Sequence, residues 1–148
     1  MTVRQSLEPS RLPGDYQFVH RIRTRFAETD AMGIIHHAAY LPYLEEARVA
    51  YLRHLGHPYG DVRESGQNFA VLEVSVQYRL PLGFDEVVEV HLKAGAVSRA
   101  TFQLAYLLTV DGALRATAVT VHGCVDGSGR AIRLPSWIGE SLGGQSAP

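Results

Sequence analysis

Residues 69–125 constrain the fold most, because apolar side chains recur there with a period of two and no helix-length pattern interrupts them. Strands that follow one another without helices connect by turns and pair antiparallel. Over residues 69–80, Ala70, Leu72, Val74, Val76, Tyr78 and Leu80 alternate with Glu73, Ser75, Gln77 and Arg79, which predicts the first set inward. Over 87–97, Val88, Val90 and Leu92 oppose Glu89, His91 and Lys93. Strands over 101–110 and 113–125 flank Asp111-Gly112, a pair suited to the positive φ angles of a tight hairpin. Both are apolar on both faces and want cover on both sides, which predicts an assembly of more than one chain. An earlier strand over 16–26 sets Tyr16, Phe18, His20, Ile22 and Phe26 against Arg21, Arg23 and Arg25.

One helix stands out, over residues 39–55. Leu41, Leu44, Ala47, Tyr51, Leu52 and Leu55 form its apolar stripe, and Glu45, Arg48 and Arg53 mark polar positions. Pro42 falls in the first turn, where its missing N–H costs nothing, and Gly56 is a natural stop. The expected architecture is α+β: one central helix wrapped by a curved antiparallel sheet of about five strands. Residues 126–129 read as a turn, and Trp137 sits in a segment that either starts a short terminal helix or folds onto the sheet. A single domain is expected over 16–140, between a flexible leader over 1–15 containing Pro9, Pro13 and Gly14 and a flexible tail over 141–148.

The chain's 148 residues suffice for one domain with a real core. Its 14 Lys plus Arg against 15 Asp plus Glu leave no basic excess to draw it onto nucleic acid or an anionic membrane. Cys124 is the sole cysteine, which excludes an internal disulfide and a cysteine-cluster metal site and fits a reducing cytoplasm. No segment has the apolar length of a membrane span.

Residues 25–48 carry the chemistry. Asp30 lies a few residues before the helix start, where unpaired N–H groups and the positive dipole end suit an oxygen that gains negative charge. Read locally, Asp30 is first a turn residue ahead of Gly33, as Asp commonly is. Phe26, Glu28, Thr29, Asp30, Ala31, Gly33, Ile34, Ile35, His36, His37, Ala38, Tyr40, Leu41, Glu45, Glu46, Ala47 and Arg48 stand in the pattern of a known family. The segment resembles the hotdog-fold acyl-CoA thioesterases, specifically the 4-hydroxybenzoyl-CoA thioesterase-like family. The resemblance implies a hotdog fold and hydrolysis of an acyl-CoA thioester without a cofactor or metal. It also implies Asp30 as base or nucleophile and the backbone N–H of His37 as the oxyanion donor. Gly33, His36 and Tyr40 would border the substrate, and Ser98 and Arg99 would border the coenzyme A channel, with Arg99 the candidate for its phosphates. An ordinary solvated turn is the other reading of Arg99.

Relatives in this family pair their sheets edge to edge, so a homodimer or homotetramer is implied, with the site between subunits. Ala39 departs from the pattern, since many relatives carry Asn there. Glu46 is a reserve candidate for the acid, because another hotdog branch uses a helix-borne carboxylate. His36 and His37 are adjacent and lack a third ligand at metal-site spacing. Two alternatives remain open: a noncatalytic acyl-CoA binding protein, and a hotdog dehydratase or hydratase, whose His-containing motif is not found in this sequence.

Overall fold

The structure is a computed structural model and describes residues 8–143. Six strands form one sheet: β1 (Phe18–Arg23), β2 (Asn68–Tyr78), β3 (Val87–Val97), β4 (Phe102–Val110), β5 (Ala113–Val125) and β6 (Ala131–Ile132). Every pairing is antiparallel, in the order β1-β3-β4-β5-β2, with β6 on the end of β5. The helix α1 (Tyr40–His54) lies along one face of the sheet, α2 (Tyr59–Glu64) follows it, and α3 (Ser136–Leu142) closes the end. The architecture is the hotdog fold, with the sheet curved around α1 and left open.

The core follows from the alternation. Val88, Val90 and Leu92 of β3, Leu104, Tyr106 and Leu108 of β4, and Ala116 and Ala118 of β5 pack with Tyr40, Tyr43, Leu44, Ala47 and Tyr51 of α1. Small alanines on β5 leave room for aromatic rings on α1. The β4–β5 turn has positive φ at Asp111 and Gly112, as that dipeptide predicts. Gly56 ends α1 with a φ of 92°.

Three expectations from periodicity are corrected. On β2 a bulge inserts Leu72 between Val71, opposite His122, and Glu73, opposite Val121. A single extra residue inverts the facing of everything before it. Phe69 therefore faces α1 along with Val76, whereas Leu72 turns outward, its Cδ1 only 3.3 Å from where a Cβ on Gly123 would sit. On α1, Leu41 is exposed and Tyr43 takes its place in the core, while Arg48, read as polar surface, is largely buried. At β1, pairing begins at Phe18, so Tyr16 falls on the opposite side of the sheet, and Phe26 leaves the strand for an exposed 3-10 turn over Phe26–Glu28.

Tyr16 also changes the reasoning about the outer face of β4. Its ring packs on Ala105 and Leu107, and its hydroxyl donates to the carbonyl of Ser10 (2.6 Å). The chain's own N-terminal segment thus supplies cover that sequence reasoning assigned to a second copy. Pro13–Asp15 form a 3-10 turn leading into Tyr16, and Leu142 of α3 is fully buried. The outer parts of the expected leader and tail, residues 1–7 and 144–148, lie outside the described residues.

Candidate active site

The loop between β1 and α1 is built by backbone pairing. Thr29 bridges Ile35, the N–H of Asp30 donates to the carbonyl of Ile34 (2.8 Å), and that of Gly33 donates back to Asp30 (3.0 Å). Gly33 holds a φ of 81°, which a side chain would resist, although nothing lies within 4 Å of where its Cβ would be. The turn thus demands glycine for its backbone rather than for space. One carboxylate oxygen of Asp30 accepts from the N–H of Met32 (2.8 Å), so Asp30 shapes the turn as the local reading supposes. Turn-making engages one oxygen and leaves the side chain half-exposed at the mouth of a cavity.

That cavity, about 370 Å³, is bordered by Asp30, Met32, His37, Tyr40, Tyr78 and Arg79. Ile35 anchors its inner wall, donating from its N–H to Leu82 (2.8 Å), and His36 donates from its N–H to the carbonyl of Glu28 (2.8 Å). The helical path begins before α1, in a 3-10 turn over His37–Ala39. Here His36 is the cap: its Nδ1 accepts from the N–H of Ala38 (3.0 Å), and its carbonyl accepts from the N–H of Ala39 (2.9 Å). Among the described residues, the N–H of His37, the first donor of this path, has no backbone partner outside its own turn. The His36 and His37 rings stack, with centroids 4.3 Å apart.

Tyr40 is buried in the core with one edge toward the mouth, its ring 4.9 Å from that of Tyr78. Burial, ahead of smaller effects, pushes its hydroxyl pKa up. Tyr78, at the end of β2, donates its hydroxyl to the carbonyl of His37 (2.9 Å) and closes one side of the mouth. Sequence reasoning placed Tyr78 only as a core position.

Glu28 was missed as a working residue, and it holds the loop to the helix. Its Oε1 accepts from the Tyr43 hydroxyl (2.6 Å) and the N–H of Arg25 (2.8 Å), while its Oε2 accepts from the Arg25 guanidinium (3.0 and 3.1 Å). Burial opposes ionisation of Glu28, but these bonds outweigh it and hold the carboxyl below its ordinary value. The available signal was Glu28 beside a helix with a tyrosine in its first turn.

The structure gathers Asp30, Gly33, His36, His37 and Tyr40, but not Ser98 and Arg99. Those two lie in the β3–β4 turn, beside β6 and the N-terminus of α3, where the Arg99 carbonyl accepts from the N–H of Leu134 (2.9 Å). That end of the sheet is opposite the Asp30 loop, which contacts the β2–β3 connection. The Ser98 hydroxyl is turned into its own loop, accepting from the N–H groups of Thr101 (3.0 Å) and Ala100 (3.3 Å). Glu46, the reserve acid, sits 2.6 Å from His20 on the exposed side of α1, away from the mouth. Among the described residues no three His, Cys, Asp or Glu side chains gather as metal ligands, and no helix is long and apolar enough to cross a membrane.

Residues 24–142 match the model of the thioesterase-like superfamily. A 1,4-dihydroxy-2-naphthoyl-CoA hydrolase of Synechococcus elongatus is 31% identical over 84% of this chain and 95% of its own. The crystal structure of protein TT1821 from Thermus thermophilus is 40% identical and superposes with a TM-score of 0.83, covering 87% of this chain and 99% of that one. A DHNA-CoA thioesterase from Staphylococcus aureus is 30% identical with a TM-score of 0.78, over 82% of this chain and 83% of that one. With a helix-wrapping antiparallel sheet and a match over most of its length, the chain belongs to the thioesterase-like superfamily and is a thioester hydrolase of the acyl-CoA thioesterase type.

Proposed function

We propose that acyl-CoA thioesters are hydrolysed at the Asp30 mouth, with Asp30 as the reacting carboxylate and the N–H of His37 as the donor to the carbonyl oxygen. One observation carries this reading: Asp30 and His37 border the same cavity, and His36 engages the N–H groups of the next two residues, whereas that of His37 has no partner outside its own helical turn among the described residues. As general base, Asp30 takes a proton from water as the oxygen adds to the thioester carbonyl. The tetrahedral oxyanion accepts from His37, and its collapse breaks the C–S bond and releases the coenzyme A thiolate, which recovers the proton. As nucleophile, Asp30 would instead form an anhydride that water then opens. Either route proceeds without a metal, because a thiolate leaves readily.

Replacing Asp30 by Asn keeps its size and its turn-forming oxygen while removing its basicity, so turnover should fall on the order of 10²–10⁴-fold with the fold retained. Free-thiol release across short, medium, long and aromatic acyl-CoAs measures this, beside circular dichroism of the variant. Near-normal turnover in a folded Asp30→Asn protein would remove Asp30 from the mechanism. A single turnover in heavy-oxygen water, with mass analysis of the Asp30 peptide, identifies the anhydride route if water opens it at the Asp30 carbonyl, since general-base attack leaves no label on the carboxylate. Rapid-quench trapping of an acyl-Asp30 species identifies it if water attacks the acyl carbon. The named activities of the relatives make hydroxylated aromatic acyl-CoAs one arm of the panel.

A homodimer or larger assembly is part of the proposal, on grounds that differ from the sequence argument. β2 is an edge strand of eleven residues, and Val71, Leu72, Val74 and Tyr78 along it are all exposed. A long apolar edge is a template for another strand. Antiparallel pairing of β2 with its copy would bring Tyr78 and the Asp30 mouth of one chain toward Asn68 of the other, the end that carries Arg99. Cytoplasmic location remains part of the proposal, resting on the lone buried Cys124.

A further inference from the structure

We propose that Arg48 makes this enzyme select acyl groups that carry an oxygen acceptor at the end remote from the thioester. This rests on the acyl-CoA hydrolase reading and concerns residues outside the Asp30 mouth.

Between α1 and β2 run two adjoining cavities that share Glu45, Arg48 and Val71. The nearer, about 370 Å³, begins at Leu41 and Pro42 in the first turn of α1, next to Tyr40, and is walled by Val74 and Thr120. The farther, about 280 Å³, continues between Leu52, Tyr59, Phe69 and Phe102. The walls are aliphatic and aromatic, which suits a hydrocarbon or ring body. Among the described residues, Arg48 is the one cation on both linings.

The surroundings of Arg48 leave it underused. Its side chain is 14% exposed, yet among the described residues it makes one hydrogen bond, from Nη1 to the Tyr106 hydroxyl at 3.3 Å. The nearest carboxylate, Glu45, is 3.9 Å from Nη2, beyond hydrogen-bond reach, and its own side chain lies mostly in solvent. A guanidinium has five N–H donors in a fixed fork, and none of the Arg48 nitrogens is among the buried atoms left without a partner, so the donors that Tyr106 does not engage stay accessible to solvent in the groove. The polar groups beneath it bond to one another, with only His122 Nδ1 left without a partner among the described residues. The Tyr106 hydroxyl and His122 Nε2 each lie 2.7 Å from Thr120 Oγ1. Burial, reinforced by the Arg48 charge, holds His122 neutral. This buried chain fixes the guanidinium from below and turns its remaining donors toward the groove.

The distance fits an acyl group. His37 to Arg48 spans about 18 Å along the helical path, and the side chain, angled back toward the N-terminus, shortens the gap to about 12 Å. A fused aromatic acyl group or a medium-length chain covers that span. An oxygen at its far end would meet the guanidinium, whereas a plain hydrocarbon of equal length would strip water from Arg48 without replacing it.

The test measures kcat/KM on two matched pairs: 6-hydroxy-2-naphthoyl-CoA against 2-naphthoyl-CoA for a neutral acceptor, and adipoyl-CoA against hexanoyl-CoA for an anionic one. The natural enzyme should favour the oxygenated member of at least one pair by about 10-fold or more, the factor expected of a charge-assisted hydrogen bond. The pair that shows it identifies the acceptor. In Arg48→Met the ratio should fall to about one, and in Tyr106→Phe, which frees the guanidinium from its anchor, it should fall partway. A merely structural Arg48 would depress both members together and leave the ratio intact. If Arg48→Met does not fold, Arg48→Lys and Tyr106→Phe read the same ratio. A ratio near one in the natural enzyme for both pairs, or one that survives these substitutions, overturns the assignment. If none of the four thioesters is hydrolysed while others of the wider acyl-CoA panel are, the acyl group lies outside this set; if none of the whole panel is, the Asp30 reading fails separately. Calorimetry with the corresponding non-hydrolysable thioethers then decides on Arg48: a 10-fold Kd preference lost in the variants sustains the assignment, and equal Kd values overturn it.

Discussion

Removing one hydroxyl, by Tyr43→Phe, should measurably loosen the loop that presents Asp30. The Tyr43 ring is buried in the core and stays in place in the variant, so no cavity forms. What is lost is the 2.6 Å hydrogen bond to Glu28 Oε1, among the described residues the one side-chain hydrogen bond between α1 and the loop residue whose carbonyl also receives the N–H of His36. A hydrogen bond to a charged group at this depth contributes about 1.5–3 kcal/mol. For a domain of this size that lowers Tm by about 4–9 °C. The pH dependence gives the sign. Burial alone would raise the Glu28 carboxyl, but the bonds from Tyr43 and Arg25 bring it below its ordinary value in the folded state. A carboxyl depressed by folding contributes stability above its unfolded pKa and loses it as pH falls through the lower folded value. The gap between natural and variant proteins should therefore be widest at neutral pH and narrow under acid. Urea unfolding at pH 7 and about pH 3.5 checks both points. A neutral-pH difference below about 0.5 kcal/mol, or one unchanged in acid, would show that the bond does not tie the loop to the helix.

Gly33→Ala meets no steric obstacle but must hold a φ of 81°, so it should destabilise by about 1–2 kcal/mol, and Gly33→Asn by less, in the same urea assay. Arg115 donates to both oxygens of Glu86 (3.1 and 2.9 Å) and to the carbonyl of Pro81 (2.7 Å), and its bonds are the chief cause of the lowered Glu86 pKa. Arg115→Met should cost about 2 kcal/mol at neutral pH, with the loss fading as acid protonates Glu86. Arg99→Ala should raise KM for an acyl-CoA but not for the matching acyl-pantetheine, and only in a protein that light scattering shows to be dimeric, because in one chain Arg99 lies at the far end of the sheet from Asp30. Equal damage to both substrates would assign Arg99 a structural role.

The sequence by itself determined the elements and their general arrangement. The strands over 87–97, 101–110 and 113–125 follow from alternation and from Asp111-Gly112, and α1 follows from its stripe, its early proline and Gly56. These signals are local, set by backbone geometry and side-chain period, so they are legible without knowing what packs where. The family pattern over residues 25–48 likewise singled out Asp30 and Gly33 before any geometry was available. Tertiary structure alone decided the rest. The Leu72 bulge depends on the register between β2 and β5, and it reverses which side chains face the helix. Tyr16 crosses to the outer face because pairing with β3 starts two residues later, at Phe18. Arg48 and Tyr106, 58 residues apart, meet only once the sheet has curved around α1. Glu28 finds Tyr43 the same way, and the separation of Arg99 from Asp30 appears only when the strand order is known. Periodicity records whether a residue is turned toward a neighbour. The neighbour's identity is a long-range contact, settled by the simultaneous packing of all the elements and written in no single segment.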